Sequence, residues 1–175
     1  QYTGVKLSDL LRETGLKPKA KWVLAEGRDT SGMTRSIPIE KILDDCLIAW
    51  AMNGEALRPE QGYPARLVVP GWEGNMWVKW IRRLEFGDKP YMTREETSKY
   101  TDLLTDGKAR MFTWVMEAKS VVTSPSPEKP ILHKGIQQLR GLAWSGKGKI
   151  KRVDVSLDGG KNWRTAQLHL SLIHI

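Results

Sequence analysis

The chain has 175 residues, of which 40% are hydrophobic and eight are tryptophan, so it can bury a core and disorder is excluded as the default state. Its length fits one ordinary domain, or one domain and part of another. The formal net charge of +8 favours anionic partners such as nucleic acid, an acidic protein, an anionic cofactor or a small oxyanion.

The N-terminal segment is predicted to form a helix followed by a strand. Leucines recur at helical spacing over residues 7–14, with Ser8 as the N-cap and Gly15 as the stop. Residues 21–27 then predict a short strand that runs into a turn at residues 27–29.

A second helix and a hairpin follow. Pro38 suits the first turn of a helix that extends to about Asp45. The apolar run over residues 46–52 predicts a buried strand, and Asn53-Gly54 is a strong signal for a hairpin turn.

Two further strands are predicted before a polar stretch. Residues 67–69 read as a buried strand closed by Pro70-Gly71. Residues 77–86 predict another strand, whereas residues 87–118 are polar and irregular. One face of the second strand is expected to carry Trp77, Lys79, Ile81 and Arg83.

The character of the chain changes after about residue 119. The Ser- and Pro-rich stretch VVTSPSPEKP indicates a domain boundary. Short alternating segments follow it (GIQQLRGLAW, KIKRVDVSLD and NWRTAQL), and Asp158-Gly159-Gly160 predicts a hairpin turn. This spacing is typical of a β-sandwich of immunoglobulin type.

The cysteine and histidines show no metal-binding pattern. The single cysteine, Cys46, lies in an apolar run, which favours a small buried thiol. His133, His169 and His174 lack the spacing of metal ligands. We therefore expect no metal ligand in this chain, and no segment is apolar enough to suggest a membrane span.

Six motifs occur in order along the chain: GVKLSDLL (4–11), EGRD (26–29), RSIP (35–38), AMNGEALRPEQGYPARLVVPGW (51–72), VKW (78–80) and GLAWSGKGKIKRVDVSLDGGKNW (141–163). Together they resemble the sulfite oxidase family of molybdopterin enzymes, and closely resemble its bacterial sulfane dehydrogenase branch. The resemblance covers roughly residues 1–168.

The resemblance implies an α+β fold in two domains. Residues 1–118 would be the C-terminal part of a molybdopterin-binding domain, and residues 119–175 would begin an immunoglobulin-like dimerisation domain. From about residue 169 the sequence departs from the family, and this tail is interpreted as a candidate non-native segment. The chain opens without Met, so we expect an internal piece of a longer protein.

The resemblance also implies an activity. The parent protein would be a molybdenum-cofactor oxidoreductase that oxidises a protein-bound sulfane or sulfite by oxo transfer and passes electrons to a c-type cytochrome. It would be a periplasmic homodimer joined through the β-sandwich. The cysteine that ligates molybdenum would lie upstream, so the 175 residues alone would be inactive.

Three charged residues match cofactor-binding positions of the family. Lys79 matches the cofactor lysine, although a strand lysine that covers its neighbouring tryptophans would look the same. Arg66 matches a cofactor arginine, with a salt bridge to Glu60 or Glu73 as the alternative. Asp29 matches the pterin-binding aspartate, with an ordinary turn cap as the alternative.

Four further residues match the family's site. Gln61 stands where vertebrate-type sulfite oxidases carry His, and its amide retains hydrogen-bonding capacity. Trp77 and Val78 match positions that contact the cofactor through the backbone, and Trp77 has a core role as its alternative. Tyr100 matches the catalytic tyrosine, with a surface loop tyrosine as the alternative.

Two other functional classes remain open from the residues alone. A basic nucleic-acid-binding protein would explain the charge, but it leaves the lysine flanked by tryptophans unexplained. A non-catalytic adhesion or scaffold module would explain the β-rich residues 119–175, but not the rest of the chain.

Overall fold

The computed structural model describes residues 1–131 and 133–169, which fall into two compact units. The first unit spans Gln1–Trp114 and the second begins at Val115. The predicted tail lies, from residue 170 onward, outside the described residues. The first unit mixes helices and strands, which confirms the predicted α+β class.

The elements of the first unit alternate along the chain. The helices are α1 (Leu7–Thr14), α2 (Ile39–Asp44) and α3 (Arg94–Lys99), with 3₁₀ turns at Pro59–Gln61 and Gly74–Met76. The strands are β1 (Tyr2–Lys6), β2 (Trp22–Gly27), β3 (Thr34–Pro38), β4 (Leu47–Met52), β5 (Glu55–Ala56), β6 (Arg66–Val68), β7 (Ile81–Gly87), β8 (Asp102–Leu103) and β9 (Ala109–Arg110).

Two antiparallel sheets organise this unit. In one, β4 pairs with β1, β5 and β6. In the other, β2 lies between β3 and β7. Strand β2 is buried along nearly its whole length, which fits its central position.

One hydrophobic core joins both sheets to helices α1 and α2. Met76 and Val78 belong to this core, so their buried side chains hold the segment that carries Lys79 against it. The buried members are Leu7, Leu11, Val23, Ala25, Ile37, Ile39, Ile42, Cys46, Leu67, Val69, Met76 and Val78.

Helix α1 confirms its predicted stop but not its predicted cap. The Gly15 N–H donates to the carbonyl oxygen of Leu11 at 3.0 Å, which closes the helix. Ser8 is wrong as the N-cap because Lys6 occupies that position and makes no side-chain cap bond. The Leu7 amide instead donates to the Cys46 carbonyl at 3.0 Å.

The strand predicted over residues 77–86 begins only at Ile81. Trp80 has a φ of +49°, which lies in the left-handed region and breaks strand geometry. Trp77 and Lys79 therefore precede the strand, and their predicted placement on one strand face with Ile81 is wrong. The polar stretch after β7 also contains α3 and the β8–β9 pair, which sequence patterns did not indicate.

The second unit holds two antiparallel strand pairs within the described residues. Strand β10 (Lys119–Ser124) pairs with β11 (Arg140–Trp144). Strand β12 (Asp154–Val155) pairs with β13 (Arg164–Thr165), and the predicted turn at Asp158 lies in their connection. These strands are shorter than the alternating segments in the sequence.

Candidate cofactor-binding site

Arg66 joins two segments that sequence motifs marked separately. Its Nη1 donates to the carbonyl oxygen of Gln61 at 3.0 Å, and its Nη2 donates to that of Trp77 at 3.0 Å. Further bonds run from the Leu67 amide to Val78 and from the Ile81 amide to Ala65, at 2.8 and 2.9 Å. The segments GYPAR (62–66) and WVK (77–79) therefore lie side by side.

The charge of Arg66 is not balanced by a carboxylate within the described residues. The side chain is buried, with 8% exposure, and its Nε has no hydrogen-bond partner there. Burial lowers its pKa because an apolar setting disfavours the charged form. The alternative salt bridge to Glu60 or Glu73 is not formed among the described residues, because both Nη atoms of Arg66 donate to backbone carbonyls instead.

Lys79 lies beside this arginine and is exposed. Its Nζ donates to the carbonyl oxygen of Glu60 at 2.7 Å and lies 5.6 Å from the centre of the Trp80 ring. The Trp80 indole N–H donates to Pro59 at 2.9 Å, which fixes the ring under the ammonium. The ring contact matches the alternative role, yet the ammonium keeps donors for an anion.

Two glycines allow the motifs to approach each other. Gly62 has a φ of +109°, and a Cβ there would lie 3.0 Å from the Lys79 Cβ and 3.2 Å from the Arg66 Cβ. A Cβ on Gly27 would lie 2.7 Å from the Lys79 carbonyl oxygen. Side chains at these positions would push Lys79 away from Arg66 and from the EGRD loop.

Asp29 belongs to that loop and is half-buried. One carboxylate oxygen accepts from the Ser31 hydroxyl at 2.5 Å, and the other accepts from the Met33 amide at 2.9 Å. The Ser31 bond is the main reason why the pKa of Asp29 is lowered. The carboxylate thus shapes its own turn, and each oxygen retains a lone pair for a further donor.

Gln61, Trp77 and Val78 present backbone more than side chain. The Gln61 side-chain oxygen accepts from the Arg58 amide at 3.0 Å and so caps its own 3₁₀ turn. The Trp77 indole N–H donates to Trp72 at 3.1 Å. Val78 is buried in the core. The side chains of these three residues are therefore occupied in holding the backbone in place.

Tyr100 is connected to this surface through a residue that sequence reasoning missed. Tyr100 caps the end of α3 and is half-buried. The guanidinium carbon of Arg35 lies 4.2 Å from the centre of its ring. The Arg35 Nε in turn contacts the Met76 sulfur at 3.0 Å, next to Trp77. The signal was available, because Arg35 lies inside the quoted RSIP motif.

The donor set fits an anionic pterin. Arg66 and Lys79 offer positive charge to a phosphate, Asp29 offers an acceptor for pterin N–H groups, and the glycines leave room for close approach. No group of three or more His, Cys, Asp or Glu residues suited to a metal occurs within residues 1–131 and 133–169.

Cys46 is a buried thiol, as predicted. It donates to the Lys41 carbonyl at 3.2 Å, and burial raises its pKa to about 12. It therefore stays protonated at neutral pH and is not a thiolate ligand. No helix in the described part of the chain is long and apolar enough to cross a membrane.

Comparisons with known families agree with this geometry. Residues 1–95 match the model of the oxidoreductase molybdopterin binding domain, and residues 110–172 match the Mo-co oxidoreductase dimerisation domain. The chain belongs to the molybdopterin-binding oxidoreductase family, which confirms the resemblance inferred from the motifs. The nucleic-acid-binding and scaffold alternatives lose their support.

Three individual relatives show how similar this chain is to members of the family. The crystal structure of the sulfane dehydrogenase SoxCD from Paracoccus pantotrophus is 62% identical, with a TM-score of 0.89, and covers 99% of this chain and 47% of that one. Mitochondrial sulfite oxidase of Drosophila melanogaster is 34% identical over 96% of this chain and 33% of its own length. NADH nitrate reductase of Ulva prolifera is 31% identical over 93% of this chain and 22% of its own length. The chain thus spans about a third or less of these two curated relatives.

Proposed function

We propose that the whole protein is a molybdopterin-dependent oxidoreductase that oxidises a sulfur substrate, either a protein-bound sulfane or sulfite. The observation that carries this proposal is the buried Arg66, whose charge has no carboxylate partner within the described residues. A buried cation is costly unless something negative faces it. An anionic cofactor supplies that charge.

Each residue of the site then has a role. Lys79 and Arg66 hold the phosphate or a pterin oxygen, and Asp29 accepts from pterin N–H groups. Gln61 contributes the N–H group of its side-chain amide, whose oxygen is used to cap the 3₁₀ turn, while Trp77 and Val78 offer backbone groups. When bound, the cofactor supplies the redox-active molybdenum and the oxygen that is transferred to sulfur.

Tyr100 would act on the substrate side. A phenol hydroxyl donates one hydrogen bond, and such a bond to an anionic sulfur substrate would orient it. The half-buried position of Tyr100 keeps this ring partly shielded from water, which strengthens such a bond. This is the catalytic role proposed for Tyr100.

The sulfane substrate is favoured over sulfite by one observation. The sulfane dehydrogenase SoxCD is 62% identical to this chain, whereas the sulfite oxidase of Drosophila melanogaster is 34% identical. Gln61, where vertebrate-type sulfite oxidases resemble the chain but carry His, agrees with this preference. We further propose a c-type cytochrome as the electron acceptor, a homodimer formed through the dimerisation domain, and a periplasmic location.

The test uses the full-length protein. We expect molybdenum and pterin in about equal amounts by metal analysis and pterin fluorescence. We also expect cytochrome c reduction that depends on a protein-bound persulfide or on sulfite. Nitrate is tested as a third substrate, because a nitrate reductase is among the relatives. A protein without molybdopterin, or one that reduces nitrate but oxidises neither sulfur compound, would refute the proposal.

A variant pair tests the site itself. Arg66→Met removes the buried cation and should lower the pterin content several-fold. The matched control is Arg12→Met, since Arg12 is exposed and pairs with Asp9 on helix α1. Equal pterin loss in both variants would show that Arg66 does not contact the cofactor.

A further inference from the structure

Arg35 is a fully buried arginine with most of its donors unused. The residue has 0% exposure on strand β3. Its Nε contacts the Met76 sulfur at 3.0 Å, which is a weak acceptor. Its Nη1 and Nη2 have no hydrogen-bond partner among the described residues.

The buried carboxylate of Glu96 does not bond to this guanidinium. Glu96 accepts from the Ser36 hydroxyl at 2.9 Å, from the Thr93 amide at 3.0 Å and from the Ser36 amide. Its charge acts on Arg35 from a distance and offsets part of the effect of burial, which lowers the pKa of Arg35. Because arginine starts far above neutral pH, Arg35 remains a cation.

The main contact of the Arg35 cation is the ring of Tyr100. The guanidinium carbon lies 4.2 Å from the ring centre, and cation–π attraction is strongest where both groups are shielded from water. The Tyr100 carbonyl accepts from the Thr113 amide at 2.8 Å, so backbone and ring are both restrained. The ring thus has one defined face on Arg35.

A purely structural role explains this arrangement poorly. An arginine kept for structure normally uses its planar set of donors for hydrogen bonds, whereas two of the three Arg35 nitrogens make none in the described part of the chain. An apolar side chain of similar size would fill the same space at less cost. What distinguishes Arg35 from an apolar side chain here is therefore its positive charge next to Tyr100.

We propose that Arg35 is a positioning residue for Tyr100. It holds the ring in place and puts a positive charge beside the phenol, so that the hydroxyl is a stronger donor to an anionic sulfur substrate. Its own nitrogens are too deeply buried to reach a ligand, so it acts through Tyr100. The inference rests on the proposed role of Tyr100 in the whole enzyme.

A double-mutant cycle in the full-length enzyme tests this. The variants are Arg35→Met, Tyr100→Phe and the double variant. They are compared at equal molybdenum content, with a protein persulfide or sulfite as the substrate, depending on which of the two the wild-type enzyme oxidises. Arg35→Met should lower kcat/KM about tenfold when Tyr100 is present and by less than about twofold in the Phe background. Arg35→Lys should recover part of the loss because it restores the charge.

A second readout needs no turnover. The dissociation constant of sulfate, measured by calorimetry on the same four proteins, should show the same dependence on Tyr100. If Arg35→Met does not fold, the cycle is run with Arg35→Lys, which should show a smaller effect with the same dependence. Ile37→Val is the control, because it loosens packing on the same strand without changing charge, and its effect should be equal in both backgrounds.

The outcomes separate this inference from the function on which it rests. Equal effects of Arg35→Met in the Tyr100 and Phe backgrounds would show a structural arginine and overturn the inference alone. If Tyr100→Phe by itself leaves kcat, KM and sulfate binding unchanged, both the role of Tyr100 and the inference fall. Loss of molybdopterin from every Arg35 variant would also overturn it, because Arg35 would then support the cofactor.

Discussion

Gly62 is the position where a single methyl group should disturb the candidate site most. Gly62→Ala places a Cβ at a φ of +109°, about 3.0 Å from the Lys79 Cβ, 3.1 Å from its Cα and 3.2 Å from the Arg66 Cβ. The backbone conformation alone costs an L-residue roughly 1–2 kcal/mol. Crowding against atoms that cannot swing away adds about 1–3 kcal/mol.

Gly54→Ala separates these two costs. Gly54 has a φ of +84°, and a Cβ there would meet nothing within 4 Å, so this variant carries the backbone cost alone. We expect the unfolding midpoint of Gly62→Ala in urea to lie below that of Gly54→Ala. The pterin content of the full-length protein should fall in Gly62→Ala only, because only there do Lys79 and Arg66 move apart. Equal midpoints together with equal pterin content would refute the argument.

Three further predictions follow from side-chain environments. Lys79→Met should lower the pterin content several-fold. It should change the free energy of unfolding by less than about 1 kcal/mol, because the bond from the Lys79 ammonium to the Glu60 carbonyl is exposed. Lys89 is also exposed, and the control Lys89→Met should change neither the pterin content nor the free energy of unfolding. The Cys46→Ala variant of the full-length protein should keep its molybdenum. In the wild type, the pKa of Cys46 is raised to about 12, so the thiol should resist thiol reagents at pH 8 until the protein unfolds. Rapid labelling of the native protein would contradict this prediction. Asp29 has a lowered pKa in the folded state, so its stabilising effect is present above about pH 4 and is lost as the pH falls through the folded pKa. The urea midpoints of the wild type and of Asp29→Asn should therefore differ at pH 7 and converge in acid. A difference that stays constant with pH would contradict this prediction.

Local signals predicted the elements that depend on local chemistry. Gly15 ends α1 because a glycine tolerates the conformation that closes a helix, and this cause is visible in sequence. The cap of the same helix was missed because β1 runs straight into it and the first amide bonds to Cys46, which is distant in the chain. Long-range partners of this kind have no local signature.

Arg35 shows the same limit at the site. Its motif was recognised, yet its importance depends on Tyr100 and Met76, which lie 65 and 41 positions further along the chain. An arginine in a strand usually faces solvent, and only the fold shows that this one does not. The family resemblance pointed to the proposed cofactor-binding positions, whereas the contact of Arg35 with Tyr100 required the structure.

The departure from strand geometry before β7 supports the proposed role of Lys79 in binding an anion. A regular strand from Trp77 onward would turn alternate side chains to opposite faces and bond its backbone to a neighbouring strand. Instead, Trp80 adopts a φ of +49°, a costly conformation for a bulky residue. Its indole bond to Pro59 and the Arg28 amide bond to its carbonyl, both 2.9 Å, hold it there. This strain leaves Lys79 exposed next to the buried Arg66, so the two cations reach the same surface from different depths.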